Sequence, residues 1–350
     1  MPTTVSTLEL PHISATVQAV AEEARRGLTS NPKSLAPWLF YDEAGSRLFE
    51  QITALPEYYL TRTERDLFNT HADVIFQLVS SSTDGLQPAT RDSITIAELG
   101  AGTASKTGIL LRALAEIQPA VLYQPIDISP TALEDAREQL EHIPGLTVQP
   151  QIANYVTESV RIERPGHARV LALYIGSSIG NFSPCEAVAI LIRLRNELQA
   201  GDALLLGTDL APCLSKLGPS KSVATLLAAY NDPQGITAAF NLNILTRLNR
   251  ELGANFNPEC FIHRALWNPA HSRIEMHLQS LLPQTVEIPA IGGGHQLLLR
   301  FAEGETIHTE NSYKFTPAAI AGLLSDAGFT PTRTFTDAEN LFAVTLAEAI

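Results

Sequence analysis

Short apolar runs alternate with helical patterns through the middle of the chain. Residues 93–99 read as a strand, 103–117 as a helix, 121–128 as a strand and 130–140 as a helix. Residues 146–152 suit a third strand. Residues 169–175 are strongly apolar and lead through a turn into a helix over 184–198, and 202–208 form another buried strand. Brief apolar runs between helices predict parallel strands covered on both faces. The expected class is α/β, a doubly wound sheet whose ligands lie beyond the carboxyl ends of its strands.

Two regions break the alternation. Residues 1–62 precede it and look mostly helical. Residues 219–310 hold helical patterns at 220–230 and 237–252, then the strand-like segments RIEMHLQSLL and HQLLLRF. A helix over 316–327 and a closing strand over 341–346 follow, and 80–93 reads as a loop. The expected organisation is a nucleotide domain of residues 63–218 plus 311–350, with an inserted second domain of residues 1–62 plus 219–310.

Composition narrows the function. Net charge is −13 over 350 residues, which argues against a nucleic-acid backbone as partner and favours a small molecule. No apolar run reaches the roughly 18 residues that would span a membrane. The opening MPTTVSTLELPHIS does not read as a signal peptide. Cys185, Cys213 and Cys260 are scattered with no CxxC, as expected of reduced, buried thiols in a cytoplasmic protein. His263, His271 and His277 lack HxxxH or HExxH spacing, so no metal is expected.

The segment ITIAELGAGTASKTGILL places Gly100 and Gly102 after Glu98, at the end of the first strand. Glycine admits positive φ and close approach of a ligand, and the following helix offers free N–H groups. A dinucleotide fingerprint would need a third glycine where Ser105 stands, which weakens a pyrophosphate and a nicotinamide dehydrogenase with it. Asp127 ends the second strand, where a carboxylate can accept both hydroxyls of a ribose. S-adenosylmethionine has a ribose but no phosphates and fits better. The plainer alternative is a strand-to-helix turn, with Asp127 capping the helix that opens at Pro130.

A second informative stretch is FYDEAGSRLFEQITALPEYYLTRTE, rich in aromatics and Arg. Together with ELGAGTASKT, GSSIGNFSP, LLGTDL, AAYNDPQGITAAFNLNIL, RIEMHL and TENSYKF, it resembles the histidine Nα-methyltransferases of ergothioneine biosynthesis, from about residue 28 to the C-terminus. The resemblance implies a Rossmann-like class I methyltransferase sheet with an inserted substrate-binding domain; a cytoplasmic monomer with no nucleic-acid or membrane partner is expected. It implies S-adenosylmethionine bound by Tyr41, Gly100, Lys106 and Asp127. Asn154-Tyr155 stand where the family usually has Asp-Phe near the adenine; an Asn carbonyl still accepts from the adenine amino group. L-Histidine would be held by Tyr58, Gly176, Asn181 and Tyr230, and its side chain read by Met276, Glu310 and Ser312. Glu310 and Ser312 alternate on an extended strand and so share a face. A carboxylate and a hydroxyl match the two nitrogens of an imidazole, which favours histidine over tryptophan.

The implied chemistry needs little beyond alignment. Positioning an amine against a methyl sulfonium contributes roughly 7–11 kcal/mol in favourable cases. No strong general base is evident. Water is expected to take the proton while Asn181 and Tyr41 orient the nitrogen, so the rate should rise with pH through about 8. Three transfers would give the trimethyl betaine hercynine, and the missing side chain at Gly176 would leave room for the growing bulk. The alternatives are a relative acting on another amino acid or a histidine derivative, and a non-catalytic cofactor-binding protein.

Overall fold

A computed structural model describes residues 15–81, 93–166, 168–212, 221–290 and 295–350. The chain forms two compact units. The larger comprises Thr53–Tyr230, Trp267–Ile274 and Asn311–Ile350; the smaller comprises Met1–Ile52, Asn231–Leu266 and Glu275–Glu310.

The larger unit is built on an eight-stranded sheet. Its strands are β1 (Ile94–Leu99), β2 (Val121–Asp127), β3 (Leu146–Val148), β4 (Gln151–Ile152), β5 (Arg169–Tyr174), β6 (Ala203–Asp209), β7 (Phe329–Thr336) and β8 (Phe342–Ala349). They lie in the order β7-β8-β6-β5-β1-β2-β3, with β4 also on β2. The strands from β6 to β4 pair in parallel, while β8 runs antiparallel to β6 and β7 antiparallel to β8. Every residue of β1 and β6 is buried, as continuous apolar runs require when helices cover both faces. Chain order reverses between β1 and β5, and such a reversal opens a crevice at the carboxyl ends of the strands.

Local chemistry explains where the elements depart from expectation. The third strand is two short pieces, because Pro150 has no N–H to give the ladder. The helix expected from 103 starts at Thr107, since Gly102 (φ +52°) and Ala104 (φ +53°) hold the chain in left-handed turns. β7 was not expected. It is an edge strand with most side chains exposed, and its register shifts between Pro331 and Arg333. The expected boundary at 62 falls inside the helix Tyr59–Ser80; contacts place the division earlier, at Ile52/Thr53 near the end of the helix Glu43–Ala54, and put 221–230 with the larger unit. The loop expected over 80–93 lies mostly outside the described residues.

The smaller unit has the helices its sequence suggested, most of Glu43–Ala54 among them, but more strands than were expected. Beside the helices Ala15–Leu28 and Ile236–Leu252 it holds most of a four-stranded sheet, in the order Lys33–Ser34, Thr306–Tyr313, Arg273–Ser280 and Phe261–Asn268. A hairpin of Gln284–Ile288 with Leu297–Phe301 completes it. Phe261–Asn268 and Gln284–Ile288 had no strand assigned from sequence. Among the described residues, no helix is long and apolar enough to cross a membrane.

Candidate active site

In the larger unit the glycine turn follows β1. Gly100 (φ +66°) donates to the Ile126 carbonyl at 2.8 Å, and a Cβ there would lie 3.1 Å from the Tyr155 hydroxyl. A Cβ at Gly102 would meet nothing within 4 Å, so the turn faces open space. Asp127 Oδ2 accepts from the Gly102 N–H at 3.0 Å and Oδ1 from the Ser129 N–H at 2.9 Å. Each oxygen keeps a second lone pair for a ligand hydroxyl. The helix cap is Ser129, which accepts from Ala132, and not Asp127. Asn154 is exposed, its side-chain oxygen accepting from the Val156 N–H at 3.1 Å, while Tyr155 packs edge-on against Tyr174 at 5.7 Å.

Glu98 turns inward. The Tyr123 and Thr107 hydroxyls donate to its buried carboxyl, and burial pushes it up to about 7 in spite of them. The acid before the glycines is thus an internal group.

Lys106 forms an ion pair with Glu64, a fully buried acid on the helix Tyr59–Ser80. Glu64 also accepts from the Gly176 N–H, at 2.8 and 3.0 Å to its two oxygens. A Cβ at Gly176 (φ +77°) would sit 3.2 Å from the Lys106 ammonium, and one at Gly207 only 2.1 Å from Glu64. The missing side chain at Gly176 makes way for Lys106. Sequence reasoning missed Glu64. Its signal was an acid within the stripe Leu60, Thr63, Leu67 and Phe68, where helical spacing predicts buried positions. Asn181 closes the turn Ser178–Asn181 that follows β5 and is half-buried.

Tyr230 caps the C-terminal end of the helix Val223–Ala229 and packs against Tyr58 at 6.3 Å between rings. Its hydroxyl lies 2.8 Å from Ser312 Oγ, so two residues with separate expected roles form one pair. Lys314 donates to both, at 2.8 Å to Tyr230 and 2.7 Å to Ser312, and pairs with Asp209 at 2.7 Å. Asp209 also binds Lys221 and accepts from the Tyr59 hydroxyl at 2.8 Å. Burial alone would raise Asp209, but the two ammoniums outweigh it and hold the carboxyl below its usual range. Asp209 and Lys314 were missed although LLGTDL and TENSYKF contain them; nothing local announces a pair formed across the fold.

Tyr41, Met276 and Glu310 belong to the smaller unit. Tyr41 follows the turn Pro37–Phe40 with its ring edge-on to Phe49 (5.8 Å) and Phe240 (5.9 Å), and it is 40% exposed. Phe40 stacks on Phe240 at 4.4 Å. Next to Tyr41, Asp42 accepts from Gly45, Asn243 and Arg250, each at 2.7 Å, which fixes the turn. Met276 and Glu310 are both buried, on the neighbouring strands Arg273–Ser280 and Thr306–Tyr313. His263 meets Asn241 at 2.9 Å and His277 meets Glu275 at 3.3 Å. Among the described residues, no group of three or more His, Cys, Asp or Glu is placed to hold a metal. Of the cysteines expected to be buried, Cys185 is exposed and Cys260 half-buried, and Cys213 lies outside the described residues.

The family profile described as histidine-specific, SAM-dependent methyltransferase matches residues 20–349. The histidine N-alpha-methyltransferase of Mycolicibacterium smegmatis is 37% identical, covering 94% of this chain and 95% of that protein. Its counterpart from Mycobacterium tuberculosis is 36% identical, over 94% of each. A 4-dimethylallyltryptophan N-methyltransferase of Claviceps purpurea is 25% identical over 89% of each. A match across nearly the whole chain means that the chain belongs to the histidine-specific, S-adenosylmethionine-dependent methyltransferase family.

Proposed function

We propose that this protein transfers methyl groups from S-adenosylmethionine to the α-amino nitrogen of L-histidine, up to the trimethyl betaine hercynine, the first step of ergothioneine biosynthesis. One observation carries the proposal. A single unit holds an open glycine turn at the strand-order reversal, an Asp127 carboxylate with free lone pairs and a buried Tyr230–Ser312 hydroxyl pair. The same sequence matches the histidine-specific family end to end.

Bound S-adenosylmethionine supplies an activated methyl group on a sulfonium. The open space over Gly102 fits its amino-acid tail, Lys106 offers donors to the tail carboxylate, and Asp127 suits the ribose hydroxyls. Asn154 and Tyr155 flank the adenine, and Tyr41 covers the cofactor. On the substrate, Tyr58, Gly176, Asn181 and Tyr230 hold the amino and carboxylate groups, and Asn181 with Tyr41 orients the neutral amine. Met276, Glu310 and Ser312 read the imidazole. The protein acts as a cytoplasmic monomer on small molecules.

The test is transfer of labelled methyl groups to each amino acid in turn, with product masses recorded. Histidine gaining three methyls is the expected result, and Glu310→Ala weakens histidine use far more than cofactor binding. Preference for another acceptor would move the protein to a different branch of the family. Equal losses of histidine use and cofactor binding in the Glu310 variant would remove that residue from the specificity site.

A further inference from the structure

The two lysines on Asp209 are not equivalent. Lys221 lies over the Tyr59 ring, 4.7 Å from its centre, and is wholly buried with the acid. Lys314 sends further donors to the Tyr230 and Ser312 hydroxyls, and its ammonium lies 4.6 Å from the centre of the Tyr230 ring. An ammonium has donors only. Each hydroxyl oxygen must therefore accept from Lys314; one of the two hydrogens closes the bond between the hydroxyls, and the other is turned toward a further acceptor. With two ammoniums on one carboxylate the cluster carries excess positive charge, although burial lowers Lys221 to about 8. Both effects favour a ligand lone pair or anion at the hydroxyl pair and disfavour a cation.

We propose that Lys314 is a positioning residue for the substrate. It holds the Tyr230–Ser312 hydroxyl pair so that the one hydrogen not used between them is donated to a substrate acceptor, a carboxylate oxygen or the unprotonated imidazole nitrogen. The assignment rests on the function proposed above. Asp209 anchors the ammonium, so the acid at the end of β6 acts on the ligand at one remove.

The two lysines supply their own control. Lys314→Met and Lys221→Met each remove one ammonium from Asp209, but only Lys314 touches the hydroxyl pair. In steady-state methyl transfer, Lys314→Met is expected to raise KM for histidine about ten- to hundredfold, the range for losing a hydrogen bond to a charged group. Its kcat and its affinity for S-adenosylmethionine stay within about threefold, and Lys221→Met leaves KM within about threefold. In a Tyr230→Phe/Ser312→Ala background, Lys314→Met adds no more than about a further twofold, because the groups it acts through are gone. A merely structural lysine would cost the same in either background.

Equal KM increases from both lysine variants, or a full Lys314 penalty without the hydroxyls, would overturn the assignment. Should Lys314→Met fail to fold, Lys314→Gln and Lys221→Gln give the same comparison. No transfer to histidine by the unaltered protein refutes the proposed function; transfer with an unmoved KM in the Lys314 variant refutes only the role of Lys314.

Discussion

Glu98 and Asp209 are two buried carboxyls near the ends of two parallel strands of one sheet, with β5 between them, and their surroundings drive them in opposite directions. Glu98, on β1, has only hydroxyls for partners, from Tyr123 and Thr107. Burial wins there and pushes it up to about 7. Asp209, on β6, is as deeply buried but faces two ammoniums, and stays below the usual carboxylate range. A neutral donor stabilises a buried charge less than desolvation disfavours it, whereas a full opposite charge reverses the balance. Burial alone therefore does not set the state of an acid; the charge of what it touches does.

Breaking the charged cluster should have the largest effect. Asp209→Asn leaves Lys221 and Lys314 facing each other in the interior without the carboxylate they share. Removing one partner of a buried ion pair costs about 3–5 kcal/mol. Loss of the acid also drives Lys221, already lowered to about 8, further down. The unfolded chain then binds more protons than the folded one, so the variant regains stability as pH rises from 6 to 9. Thermal unfolding of both proteins across that window checks the size and the sign. A Tm within a degree of the unaltered protein at pH 6 would mean that the lysines carry no charge there.

Glu98 predicts a smaller effect that grows with pH. Its folded pKa of about 7 lies above the model-peptide value of about 4.3, so between those limits the folded protein binds the extra proton. Stability contributed by this group is present below that window and is lost as pH rises through it, by an amount on the order of 3 kcal/mol. Glu98→Gln keeps the shape and removes the titration. The stability of the variant relative to the unaltered protein should rise between pH 4.5 and 7.5, read by chemical denaturation at each end. A difference that does not change with pH would show Glu98 ionised in the fold.

Much of the larger unit was legible because its signals are local. An apolar run ending in Glu98 and two glycines marks a strand and its turn, and Ser129-Pro130 marks a helix start that the structure reproduces at Pro130–Leu140. β7 was not legible, because an exposed edge strand carries no alternating apolar face and this one contains Pro331. In the smaller unit, the strands at Phe261–Asn268 and Gln284–Ile288 take their pairing from distant segments. The site divides in the same way. Gly100 and Asp127 could be read from a glycine turn and the next strand end, and Lys106 was named by the family resemblance. The Glu64–Lys106 pair and the Asp209–Lys314 pair depend on chain folded back from far away, and no spacing rule reports that. The Tyr230–Ser312 pair was half legible: both residues were singled out, but not their contact.

The smallest effect sharpens the comparison most, because it isolates a neutral donor from a charge. Tyr123 is fully buried and gives its hydroxyl to Glu98. Tyr123→Phe removes that donor and leaves the volume nearly unchanged. At pH 5, with Glu98 protonated, the loss is one ordinary hydrogen bond, about 1 kcal/mol. The hydroxyl also pulls the Glu98 pKa down, against burial. Without it the carboxyl should titrate higher than about 7, and the pH at which stability falls should move up with it. Carboxyl-carbon NMR of the two proteins reads that shift directly. An unchanged or lower titration in the Phe variant would mean that the Tyr123 hydroxyl does not favour the ionised acid, and that the contrast with Asp209 has another origin.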